Sequence, residues 1–164
     1  LLGSSLFSAQ LAAKLGLPYS FASHFAPRML DQAIKLYREN FEPSEYLDRP
    51  YVSMGVPTVV AQTDEEAEYL ATSAYQRVLG LMRGQSLKLK APVKTMEGIW
   101  SPAEKMSVDN FYAMAQVGSP ETVKAGLEKL LEKYNVDEFI FTCDIYDTDK
   151  RIQNFELLMD IKNS

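Results

Sequence analysis

The sequence predicts an α/β protein built on a parallel sheet. Helical and strand periodicities alternate along the chain, and the strand candidates read as continuous apolar runs rather than alternating ones. Two βα junctions also follow one another within LLGSSLFSAQLAAKLGLPYSFASHF. Alternation places helices between strands, and strands without a polar face are covered on both sides, as parallel strands are.

Each element has a local reason. Leu1-Leu2 is an apolar stub that breaks into Gly3-Ser4-Ser5, and residues 4 to 15 read as a helix of Ala and Leu. Gly16, with Pro18 just beyond, stops that helix. Tyr19 to Ala22 is a short buried strand. Pro27 to Phe41 is amphipathic, with Leu30, Ala33, Ile34, Tyr37 and Phe41 on one stripe. Val56 to Ala61 is a β-branched strand. Thr63 and Glu66 have capping-box spacing, and the helix continues through Ala67, Leu70, Ala71, Ala74 and Val78. Ser101-Pro102 and Ser119-Pro120 each start a helix with proline at its first position. The second of these carries Val123, Leu127, Leu130, Leu131 and Tyr134 toward the core. Phe139 to Cys143 is the last strand, and Arg151 to Ile161 closes the chain along Ile152, Phe155 and Leu158.

This order fits two architectures. One is a small doubly wound sheet; the other is half of a (β/α)₈ barrel, whose usual length is about 250 residues. Three clear strands and a stub fit the second better, as the last four βα units of a TIM-type barrel, about strands 5 to 8 with their helices. The 164 residues suit one domain, 1–164, a partial barrel. The stretch 84–117 breaks the rhythm as an excursion expected near the active-site face.

Composition narrows the function. The chain is 46% hydrophobic and 24% charged, ordinary for a folded globular protein, and its net charge of −5 argues against a nucleic-acid surface. Lys88, Lys90 and Lys94 are spaced by apolar residues and read as a solvated loop. Cys143 is the only cysteine, so neither a disulfide framework nor a thiolate metal cluster is expected. Leu1-Leu2 has no charged region of a secretory signal, and no apolar run approaches the roughly 20 residues of a membrane span. A cytoplasmic setting is the expectation.

The chemistry-bearing candidates cluster at the strand ends. A helix N-terminus presents unpaired N–H groups and the positive end of the helix dipole, which suits phosphate. Ser4, Ser5 and Ser8 add hydroxyls there and Gly3 permits close approach; the same residues also make an ordinary serine N-cap. Neither GxxxxGK[ST] nor GxGxxG occurs. His24, the only histidine, directly follows a strand and can contact cofactor or substrate, or simply hydrogen-bond its loop. One histidine and one cysteine do not make a zinc site, so no metal is expected. Asp144 and Asp147 follow the last strand and read as turn and cap residues. Met96, Trp100, Met106, Phe111, Tyr112 and Met114 are candidates to line an apolar substrate pocket.

Several runs together resemble the bacterial-luciferase-like flavin monooxygenases: GSS-x-x-SA-x-x-AA-x-LGLPYSFASHFAP, MRGQSLKLKAPV, WSPAEK, VGSPETVKAGLEKL and VDEFIFTCDIYDTDKRIQNFELL. The resemblance covers essentially the whole chain. It implies a (β/α)₈ barrel, with this chain as its C-terminal half. It also implies reduced FMN from a separate flavin reductase, and O2, acting on a small organic substrate. By the same resemblance Gly3, Ser4, Ser5 and Ser8 hold the flavin phosphate, while His24 lies near the ring or substrate as the catalytic candidate. Two other readings remain: a non-catalytic half-barrel remnant acting as an assembly or binding module, and a deazaflavin-dependent relative. A half barrel leaves strand edges and an apolar flank uncovered. Homo-oligomerisation, or pairing with a missing N-terminal half, is therefore expected, and the isolated fragment is expected to be inactive.

Overall fold

The computed structural model describes residues 1–23 and 25–163. Its elements run β1 (Leu2–Gly3), α1 (Leu6–Lys14), β2 (Tyr19–Phe21), a 3-10 turn (Pro27–Met29) and α2 (Leu30–Glu39). There follow β3 (Val52–Val60), α3 (Asp64–Met82), α4 (Pro102–Phe111), β4 (Gln116–Gly118), α5 (Pro120–Tyr134), β5 (Glu138–Thr142) and α6 (Thr148–Asn163). The strand order is β1-β2-β3-β4, with β5 also paired to β3. The β1–β2, β2–β3 and β3–β4 pairings are parallel. The parallel α/β fold expected from the alternation is present. Two compact units make up the chain, Leu1–Val56 with Leu130–Phe141, and Pro57–Lys129 with the segment from Thr142 onward.

In the first unit, Leu2 and Gly3 pair with Ser20 and Phe21, and Tyr19, Ser20 and Phe21 pair with Val52, Ser53 and Met54. Helix α1 ends in a Schellman motif: Leu17 N–H reaches Ala12 C=O at 3.0 Å and Gly16 N–H reaches Ala13 C=O at 3.2 Å. Gly16 takes φ +59°, and a Cβ there would lie 2.5 Å from the Glu42 carbonyl oxygen. Tyr19, Phe21, Leu30, Tyr37, Val52 and Met54 are fully buried. The Tyr19 and Tyr37 rings lie 5.3 Å apart, and Tyr37 OH donates to Leu17 C=O at 2.8 Å while accepting from Tyr51 N–H at 3.1 Å. The predicted strand at residues 56–61 proves longer on its N-terminal side. Ser53, Met54 and Gly55 are buried within it, and Ser23, itself buried, donates its hydroxyl to Gly55 C=O.

In the second unit, Thr58, Val59 and Val60 pair with Gln116, Val117 and Gly118. Strand β4 was hidden inside the expected excursion, because three residues with a single β-branched side chain give no period. Val59, Ala61, Ala67, Leu70, Ala71 and Ile145 form one core cluster, and Val78, Leu79, Met96 and Val108 form another under α4. Ser101 and Glu104 cap α4 reciprocally, as their spacing predicts. At α3 only half of the expected box forms. Thr63 Oγ1 accepts the Glu66 N–H at 3.2 Å, but the Glu66 carboxylate turns to Lys150 Nζ at 2.6 Å.

The stripe expected on α6 is only partly buried: Leu158 is covered with Asn154, whereas Ile152 and Phe155 are exposed. Asn154 is fully buried and accepts the Val60 N–H at 2.7 Å, so a polar contact sets which face of α6 turns inward. Among the described residues no helix is long and apolar enough to cross a membrane, and no group of three metal-ligating side chains occurs.

Candidate functional site

The C-terminal end of β1 runs directly into the N-terminus of α1, and four hydroxyl or glycine positions meet there. Ser5 is the N-cap, in extended conformation, and its Oγ accepts the Ser8 N–H at 3.2 Å. Ser8 Oγ accepts the Ser5 N–H at 3.3 Å and donates to the Ser5 carbonyl at 2.8 Å. This is a serine–serine capping box, with Ser8 in the place usually taken by Glu or Gln.

Gly3 is essential to this frame for a steric reason. A Cβ on it would lie 2.2 Å from Ser8 Oγ and 2.4 Å from Ser8 Cβ. The space left by the missing side chain is thus occupied by Ser8. Tyr19 on β2 completes the cluster, its OH 3.2 Å from Ser8 Oγ and 3.3 Å from the Ser5 carbonyl. Burial pushes the Tyr19 hydroxyl above the usual phenol range, opposed in part by its Ser8 bond, so it stays protonated. Tyr19 was legible only as a core aromatic. Its polar role shows only once the parallel register places β2 beside β1.

The division of labour among the serines follows. Ser5 and Ser8 spend their hydroxyls on the cap and on Tyr19. Ser4 makes no hydrogen bond among the described residues, and the Leu6 and Phe7 amides, the first two of α1, have no acceptor among them either. Those three donors are the ones available to an anion at this turn. His24 lies outside the described residues.

In the second unit the acids after β5 take structural partners. Asp147 Oδ1 accepts the Lys150 N–H at 2.9 Å, a cap for α6. Asp144 forms a half-buried ion pair with Arg77 of α3. Burial, reinforced by the Asp144 charge, raises the nearby Tyr112 hydroxyl strongly, and burial with the Glu68 charge does the same for Tyr75. Both are neutral donors at any ordinary pH. This Arg–Asp pair joins two segments 67 residues apart and has no short-range sequence signal.

The aromatic and Met residues of 84–117 do two things. Met96 and Val108 are buried against α3, and Phe111 and Tyr112 pack on the same cluster. Met106 is exposed. Met96 and Trp100 also border an open cleft of about 430 Å³ along the outer stripe of α3. The 84–101 segment is pinned there, since Val93 N–H donates to Thr72 Oγ1 at 2.9 Å and Gln76 Nε2 donates to Ala91 C=O at 3.0 Å. Arg83 then clamps Glu104 with two bonds, at 2.7 and 2.9 Å, and reaches Ile99 C=O at 2.9 Å.

The model of the luciferase-like monooxygenase family matches residues 1–138. The chain belongs to the luciferase-like monooxygenase family. A luciferase-like monooxygenase of Escherichia coli (strain K12) is 45% identical over 162 residues, 99% of this chain and 48% of that protein. The chain spans about half the length of the curated relatives it matches. Among solved structures, apo-MsnO8 superposes with a TM-score of 0.87 at 27% identity, covering 99% of this chain and 50% of its own. The oxygenating constituent of 3,6-diketocamphane monooxygenase from Pseudomonas putida, in complex with FMN, shares the fold with a TM-score of 0.61 at 19% identity. The match takes in 96% of this chain and 45% of that one.

Proposed function

We propose that this chain supplies the phosphate-gripping end of an FMN site in a luciferase-like monooxygenase acting on a small organic substrate. The observation that carries this is the β1–α1 turn. Two amides at the positive end of a helix dipole and a Ser4 hydroxyl with no partner among the described residues belong to one short turn, which the Ser5–Ser8–Tyr19 cluster frames. The donor set fits a phosphate: all three groups donate, and no acidic residue stands in the first turn of α1. Reduced FMN, when bound, supplies the electrons for the reaction with O2, drawn from a separate flavin reductase. The chain's own residues bind and orient it. In this reading Ser4, Leu6 N–H and Phe7 N–H contact phosphate. Gly3, Ser5 and Ser8 fix the turn rather than touch the ligand through free hydroxyls. His24, which follows β2, is assigned to the ring or substrate, and the setting is cytoplasmic.

Support comes from the family match and from a solved protein of this fold that binds FMN. The test is a titration by flavin fluorescence of FMN, riboflavin and a deazaflavin. FMN should bind at least about tenfold tighter than riboflavin, a difference of about 1.4 kcal/mol. Ser4→Ala should shrink that preference without moving the urea midpoint. Equal affinity for FMN and riboflavin would refute the phosphate assignment, and preference for the deazaflavin would move the chain to that class of cofactor.

A further inference from the structure

We propose that the cleft on the outer stripe of α3 is a binding site for organic primary ammonium ions with an apolar tail, distinct from the turn at α1. Glu65, Glu68, Thr72 and Tyr75 stand three or four residues apart, with Tyr69 beside them, so one face of α3 forms the floor. Its volume, about 430 Å³, suits a small organic molecule. The apolar wall is Met96, buried, with the Trp100 and Tyr75 rings 6.0 Å apart.

Charge selects the ligand class. Four carboxylates stand in the first two turns of α3. Two have internal partners: Asp64 accepts the Ser119 N–H at 2.7 Å, and Glu66 pairs with Lys150. Glu65 and Glu68 face the cleft and have no cation partner among the described residues; Glu68 meets only Tyr75 OH, at 3.4 Å. Rings beside unpaired carboxylates are the combination that holds an ammonium group.

The cleft already holds one such group of its own. Lys105 Nζ stands 5.7 Å from the Trp100 ring centroid and 2.7 Å from Asp109 Oδ2. This tethered alkylammonium shows the rings and acids of the cleft accommodating that chemistry. It leaves Glu65, Glu68 and the Tyr69 ring for a second one. Lys94 at the border is the single opposing charge without a partner among the described residues, and it disfavours dications.

Trp100 is the only tryptophan in the chain, so its emission reports on this cleft alone. Titration with n-hexylammonium chloride should give a saturable change in that emission, and 1-hexanol should not. Glu65→Gln with Glu68→Gln, both at exposed positions, should weaken the amine by about three- to fivefold at an unchanged urea midpoint. Lys94→Ala should tighten it. An absent or non-saturable signal, an equal response to 1-hexanol, or unchanged affinity in the double variant would each overturn the proposal.

Discussion

Replacing Ser8 with alanine separates a framing serine from a ligand-contacting one. The substitution removes an acceptor for the Ser5 N–H, a donor to the Ser5 carbonyl and the neighbour of Tyr19 OH. Losing one half of a reciprocal cap costs about 0.5–1 kcal/mol. Tyr19 is fully buried, and its hydroxyl would retain only the Ser5 carbonyl at 3.3 Å. A buried hydroxyl stripped of its better partner adds about 1–2 kcal/mol. The sum is about 1.5–3 kcal/mol; with an m-value of about 2 kcal/mol/M, the urea midpoint falls by about 0.75–1.5 M. Ser4→Ala, at a hydroxyl with no internal partner, should change stability by less than about 0.5 kcal/mol. The assay is urea unfolding followed by circular dichroism, with Tyr19→Phe as a second background. On that background Ser8→Ala should cost about 1 kcal/mol less, because the orphaned hydroxyl is gone. A Ser8→Ala midpoint within about 0.3 M of the parent, or equal costs on both backgrounds, would refute the framing role.

Three further outcomes are expected. The Glu104 carboxyl is held down at about 2 by its Arg83 bonds and the Ser101 N–H. Its contribution to docking α4 is therefore full above the ordinary value of 4.5 and is lost as pH falls toward 2. The stability gap between parent and Glu104→Gln should be present at neutral pH and close over that acid window; a gap constant with pH would contradict it. Burial pushes the Cys143 thiol up, so iodoacetamide should label it at least about tenfold more slowly than glutathione at neutral pH. Equal rates would show the thiol to be open. Helix α1 exposes Phe7, Leu11 and its C-cap Leu15, and α6 exposes Ile152, Phe155 and Met159. The chain should therefore self-associate at micromolar concentration in sedimentation velocity, and Phe7→Glu with Leu11→Lys should reduce this. A clean monomer across that range would overturn the expected homo-oligomerisation.

Much of the fold was legible because its signals are local. The Gly16 stop, the Ser101–Glu104 box, the proline-led starts of α4 and α5 and the amphipathic face of α2 depend on residues within a turn or two of each other. The runs around Tyr19 and Val56 announced buried strands for the same reason, whereas the Phe139 run forms a strand with no fully buried residue and with Ile140 exposed. Gly3, Ser4, Ser5 and Ser8 were identifiable as a group from spacing alone. Their individual roles were not, since a serine N-cap and an anion site have the same sequence.

Contacts between distant segments decided the rest. Tyr19 reaches Ser8 only because the parallel register sets β2 beside β1. Glu66 leaves its cap for Lys150, 84 residues away, because a full charge stands within reach and competes with a backbone amide. Asn154 turns α6 on its axis by bonding the last amide of β3, leaving Ile152 and Phe155 outward. The α3 cleft exists because the 84–101 segment is tied down through Thr72 and Gln76. Hydrophobic period and capping act over a few residues and can be read along the chain. Partner choice among buried polar groups is settled only by which atoms the packed chain brings within hydrogen-bond distance.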